Sequence, residues 1–163
     1  MTFHHKIKQA FAERSIPTML VEIKTPVTPE QNDALWFKGQ NWEEITWEDW
    51  DIHRDAFYAF TPEAFAYYLP SIICISIEFP QKWFLPVDSL LHILDRSPVV
   101  EYWDNFIVTR LIGLKQKEYE MLKEWILLLS ENPPAGLDVD FGRVFDTVDL
   151  LESETNKIRK ILL

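Results

Sequence analysis

The chain of 163 residues is predicted to be all-α, a single multihelical domain over residues 1–163. Apolar side chains recur at steps of three and four in several segments. Helix-start signals stand ahead of some of these segments. The composition, 47% hydrophobic with 23 Phe, Tyr and Trp residues, supplies a core that needs no metal or disulfide staple.

Phe3, Ile7, Ala10 and Phe11 share one face of a short amphipathic helix, with Lys6, Lys8, Gln9 and Glu13 between them. Residues 16–35 hold Pro17, Pro26 and Pro29 and the β-prone run Met19-Leu20-Val21-Glu22-Ile23. They read as an ordered loop or as a short extended element near residues 19–23. Thr46 with Asp49 three positions on resembles a shortened capping box, which opens a helix carrying Trp47 and Trp50. Thr61-Pro62-Glu63 is a stronger start, with a side-chain acceptor, a proline at the first helical position and an acid suited to the dipole.

Pro70 either kinks that helix or stops it at Leu69. The run Ile72 to Ile77 then reads as a strand by its β-branching or as a kinked, buried helix by continuity, with the helix favoured. Further helices are expected over residues 88–95, over Val100 to Leu111 with Gly113 closing it, and through Tyr119, Leu122, Ile126 and Leu129. After the break Asn132-Pro133-Pro134-Ala135-Gly136, a last helix through Val144, Val148, Leu151, Ile158 and Leu162 has its acids first and its cations last, as the macrodipole favours.

The formal net charge is -10. Residues 30–63 carry nine acids against Lys38 and Arg54, and residues 131–154 carry seven against Arg143. A nucleic-acid partner, which requires cations facing phosphates, is disfavoured; a basic protein partner is favoured by complementary fields. The N-terminus lacks the apolar stretch of a secretory signal, and no apolar run reaches the roughly 18 residues of a membrane span. The expected location is cytoplasmic. The single cysteine, Cys74, lies among isoleucines and is expected to be buried and inert.

Four glycines cannot write a dinucleotide fingerprint or a phosphate loop. His53-Arg54-Asp55 resembles a kinase catalytic loop, but Phe60 stands where that loop needs an Asn. No His pair has the four-residue spacing of a zinc hydrolase, and Asp138-Val139-Asp140 lacks the other ligands of a calcium loop. No catalytic residue, metal or cofactor is assigned. What stands out is Trp36 to Asp51, where four of the seven tryptophans are interleaved with acids. Trp42 and Trp47 read as core in the first instance. The candidate partner-binding set is Glu43, Glu44, Glu48, Asp49 and Asp51, with Trp36 or Trp50 as aromatic anchor.

Thr61-Pro62-Glu63-Ala64-Phe65-Ala66-Tyr67-Tyr68-Leu69-Pro70 resembles a family of small bacterial proteins of unknown function carrying the pattern TPEAFxYYLP. Trp42-Glu43-Glu44-Ile45 and His53-Arg54-Asp55-Ala56-Phe57 upstream, and Arg110-Leu111-Ile112-Gly113-Leu114 with Gln116 and Trp125 downstream, extend the likeness over roughly residues 36–130. The chain departs from the pattern after Pro70, where it is more β-branched. Within the motif, Thr61 and Pro62 read as helix-start residues, Phe65 and Leu69 as core, and Tyr67-Tyr68 as a mixed pair with one hydroxyl bonded.

Some members of that family belong to contact-dependent toxin–immunity islands. The resemblance therefore implies a non-enzymatic immunity protein that binds and neutralises a cognate toxin domain by covering its active or substrate surface. Two other readings stand beside it: a small enzyme using carboxylates and His53 in a pocket lined by Trp47, Trp50 and Tyr67, and a structural subunit of a larger complex.

Overall fold

Helix starts in this chain are marked by short polar side chains that accept from otherwise orphaned N–H groups. Thr2 accepts from the N–H of His5 at 3.2 Å, Thr61 from that of Ala64 at 3.2 Å, and Asp104 from that of Ile107 at 3.1 Å. Thr46 and Asp49 form a reciprocal capping box, and so do Thr28 and Gln31, with Pro29 at the first helical position. The computed structural model describes residues 1–22 and 26–162, and it is all-α: among the described residues there is no strand.

The chain divides into two compact units, residues 1–88 and 89–163, the division falling within a helix. The first unit holds α1 (Phe3–Ala10), α2 (Pro29–Leu35), a 3-10 turn at Trp42–Glu44, α3 (Trp47–Ile52), α4 (Ala56–Ala59), α5 (Pro62–Glu78) and the start of α6 (Leu85–Leu94). The second holds the rest of α6, a 3-10 turn at Val100–Tyr102, α7 (Asn105–Leu111), α8 (Gln116–Glu131) and α9 (Phe141–Leu162).

In the first unit α5 is the central element, buried from Ala64 through Ser76. It runs unbroken through Pro70, so the segment Ile72 to Ile77 is helix. A helix apolar on all sides gains enough from burial to override the β-preference of its isoleucines and the hydrogen bond lost at the proline. α1 and the 3-10 turn pack on α5, and α2 packs on α4. The sequence reads residues 16–35 as an ordered loop or a short extended element, yet α2 lies there, opened by its own capping box. Residues 19–22 have no strand geometry and Ile23 lies outside the described residues. The carbonyls of Met19 and Leu20 accept from the hydroxyl and the N–H of Thr61, both at 2.8 Å.

In the second unit α8 packs against α9. The helix expected over Val100 to Leu111 is two elements. Trp103 and Asp104 adopt extended backbone between them, because Trp103 turns in to donate to the Ser97 carbonyl at 2.9 Å and Asp104 caps α7. Gly113, at φ 94°, supplies the left-handed residue after α7. The buried Tyr119 hydroxyl donates to the Leu111 carbonyl at 2.5 Å and lies 2.7 Å from Thr155 Oγ1, joining α7, α8 and α9. No helix among the described residues is long and apolar enough to cross a membrane.

Candidate functional site

The segment rich in tryptophan and acid separates, once folded, into an aromatic interior and an exposed corner. Phe37 is the hub of the interior. Its ring meets those of Trp50 at 4.8 Å, Tyr68 at 5.0 Å and Phe60 at 5.1 Å between centroids. The Tyr68 hydroxyl lies 2.8 Å from the carbonyls of both Phe37 and Gln40, which share its proton. Burial keeps that phenol protonated by pushing its pKa up. The Tyr67 hydroxyl accepts from the N–H of Trp42 at 3.4 Å, so both tyrosines of the motif are bonded rather than one.

Trp50 belongs to this interior. It is 0% exposed and its indole Nε1 donates to Ser71 Oγ at 3.0 Å. This corrects its candidacy as a surface anchor: α3 is a short helix, and the face that carries Trp50 is the one turned onto α5. Trp42 is also buried, as the core reading expected, whereas Trp47 is partly exposed, donates to the Lys82 carbonyl at 3.0 Å and has the Lys82 ammonium 5.1 Å above its ring.

Trp36, on the cap of α2, is partly exposed at the corner. It stacks on His53 with centroids 4.4 Å apart and planes 15° from parallel, and its edge meets Phe37 at 5.1 Å. His53 Nδ1 lies 3.4 Å from Asp33 Oδ1. Of the residues named for an enzymatic pocket, His53, Trp50 and Tyr67 have separate hydrogen-bond partners. His53 keeps company with Trp36, Phe37 and Asp33, while Trp50 and Tyr67 point to Ser71 and Trp42.

The five acids of the candidate set are dispersed in their roles. Glu43 is 3.2 Å from Lys8 and 3.9 Å from His4, and Glu48 is 3.9 Å from Lys82. Asp49 is spent on the capping box of α3. Glu44 and Asp51 are exposed, with no ion pair among the described residues. The corner adds two acids that the sequence reading did not select, Asp33 beside His53 and exposed Asp55 at the start of α4. The chain signal for Asp33 was the Thr28-Pro29-Glu30-Gln31 start of α2, which places Asp33 and Trp36 one turn apart.

A second cluster lies on α1 and α5, where His4 Nδ1 is 2.6 Å from Glu78 Oε1 beside a small cavity of about 40 Å³ that Cys74 also lines. Among the described residues no group of three or more His, Cys, Asp or Glu side chains is arranged to hold a metal ion. The chain matches no protein-family model, no curated protein and no solved structure.

Proposed function

We propose that the chain is a non-enzymatic binding protein of the immunity type, which neutralises a basic toxin domain by burying part of that domain's active or substrate surface. The observation that supports this reading is the Trp36 ring, partly exposed yet held face to face by His53, which Asp33 contacts in turn. A rigid, amphipathic ring already fixed in position loses little entropy on docking, and such rings dominate interface energetics. Asp55, two residues from His53, and Asp51 on α3 are exposed and without ion pairs among the described residues, and they supply the field that steers a cationic partner. Glu44 is the other member of the acidic set without an ion pair among the described residues.

The test is titration of the chain, by calorimetry and by toxin-inhibition assay, against basic toxin domains encoded beside its gene. Trp36→Ala is expected to weaken binding about tenfold or more, and Asp51→Lys to slow association and reduce its salt dependence. Failure of every neighbouring toxin to bind, or binding indifferent to both substitutions, would reject the reading.

A further inference from the structure

The last helix carries two surfaces, one at each end, an exposed apolar tail with lysines and an apolar groove with carboxylates beside it. Its apolar stripe, Val144, Val148, Leu151, Thr155, Ile158 and Leu162, advances in steps of four and three. The first four are buried, but Ile158 and Leu162 are 45% and 80% exposed, and Ile161 beside them is 82% exposed. The stripe outruns the cover its own unit provides. These turns are also cationic. Lys157 is exposed and 2.9 Å from Glu154, and Lys160 is exposed with no ion pair among the described residues.

At the other end of the helix, Ile126, Leu127 and Ser130 of α8 and Phe141, Phe145 and Asp146 of α9 line an open groove of about 410 Å³, with Leu127 53% exposed. Asp146 puts a carboxylate in its lining, and Glu131 and Asp138 are within three residues of lining residues in the chain. Glu131, Asp138 and Asp146 are exposed and have no ion pair among the described residues. Arg143, the one cation of residues 131–154, is drawn off by Asp95 at 2.7 Å.

A helix from Phe141 to Leu162 is about 33 Å long, so a continuous α9 cannot bring its own tail to its own groove. We propose that the tail of α9 in one copy of this chain docks into the α8–α9 groove of a second copy. Ile158, Ile161 and Leu162 cover the apolar floor, and Lys157 and Lys160 face Asp146 and its acidic neighbours. Tail and groove are different surfaces, so each copy carries one of each and the contact is tail-to-groove. Patches this small make a weak, reversible association.

Sedimentation and light scattering test it on the full chain. The mass is expected to rise above the 19.3 kDa monomer with concentration and to fall back with added salt. Leu127→Asp blocks the groove, and the double change Ile161→Asp with Leu162→Asp blocks the tail. All three positions are exposed, so circular dichroism is expected to show an unchanged helix content. Each variant alone is expected to be monomeric, and the 1:1 mixture to form a heterodimer from the intact tail of the first and the intact groove of the second. Asp146→Lys is a second groove variant, expected to weaken self-association about fivefold. A wild-type chain monomeric at all concentrations, self-association persisting in either blocked variant, or a mixture that stays monomeric each overturns the proposal.

Discussion

Trp50 on α3 donates its indole N–H to Ser71 Oγ on α5 at 3.0 Å, one residue beyond the proline that the helix runs through. This pair ties the acidic, tryptophan-rich segment to the central helix by a buried polar contact inside an aromatic cluster. Trp50→Ala is therefore expected to cost about 3–5 kcal/mol of stability, by cavity formation and by leaving the Ser71 hydroxyl without its donor. Trp36→Ala, which removes a partly exposed ring and leaves no buried polar group without its partner, is expected to cost less, about 1–3 kcal/mol. Denaturant unfolding of the two variants measures the difference, and equal losses would contradict the division into interior and corner.

Tyr119 is fully buried, and its hydroxyl serves Leu111, Leu114 and Thr155 at once. Tyr119→Phe leaves a buried carbonyl and an N–H short of a partner in the same place, at a cost of about 1–3 kcal/mol. Thr155→Val, which removes the acceptor of the Gly113 N–H as well, is expected to be non-additive with it, because the two hydroxyls lie in one network. Thermal melts of the single and double variants give the coupling.

Asp95 and Arg143 give the second unit an acid-sensitive contact. Partial burial of Asp95 works against ionisation, but hydrogen bonds from the Arg143 guanidinium and the Asp140 N–H outweigh it, leaving the carboxyl below its usual range. A depressed carboxylate pKa stabilises the fold above the unfolded-state value and loses that contribution as pH falls through the folded-state value. Asp95→Asn is expected to melt below the wild type at pH 7, with the gap closing toward strongly acidic pH. A gap that is independent of pH would show that the carboxylate charge is not the cause.

The Cys74 thiol is pushed up to about 12, first by burial and then by the nearby Glu78 and Glu43 carboxylates. At pH 8 this leaves roughly one thiolate in ten thousand, so iodoacetamide labelling is expected to be slow in the native chain and fast in denaturant. Rapid native labelling would place the thiol in a different environment.

Much of the helical content was legible locally. Thr61-Pro62-Glu63, the Thr46–Asp49 box and the three- and four-residue steps through Tyr119 and Val144 mark helices because caps and amphipathic stripes are short-range features. The same chemistry is present at Thr28-Pro29-Glu30-Gln31 but reads as loop or extended chain, since Pro17, Pro26 and Pro29 together mask a cap that uses the last of them. The break at Trp103-Asp104 was not legible: it depends on Trp103 reaching the Ser97 carbonyl, a contact that apolar spacing does not encode.

The amino-acid order determined the all-α class, the acidic excess, the inert surroundings of Cys74 and most helix starts, all of which follow from composition or from residues within a turn of one another. Tertiary packing alone decided that Trp50 faces inward while Trp36 stays partly exposed on His53, and that Glu43 meets Lys8 while Asp51 meets no cation among the described residues. The reason is physical. Which side of a short helix is buried, and which charges are neutralised, is set by partners tens of residues away, such as Ser71 for Trp50 and Lys8 for Glu43.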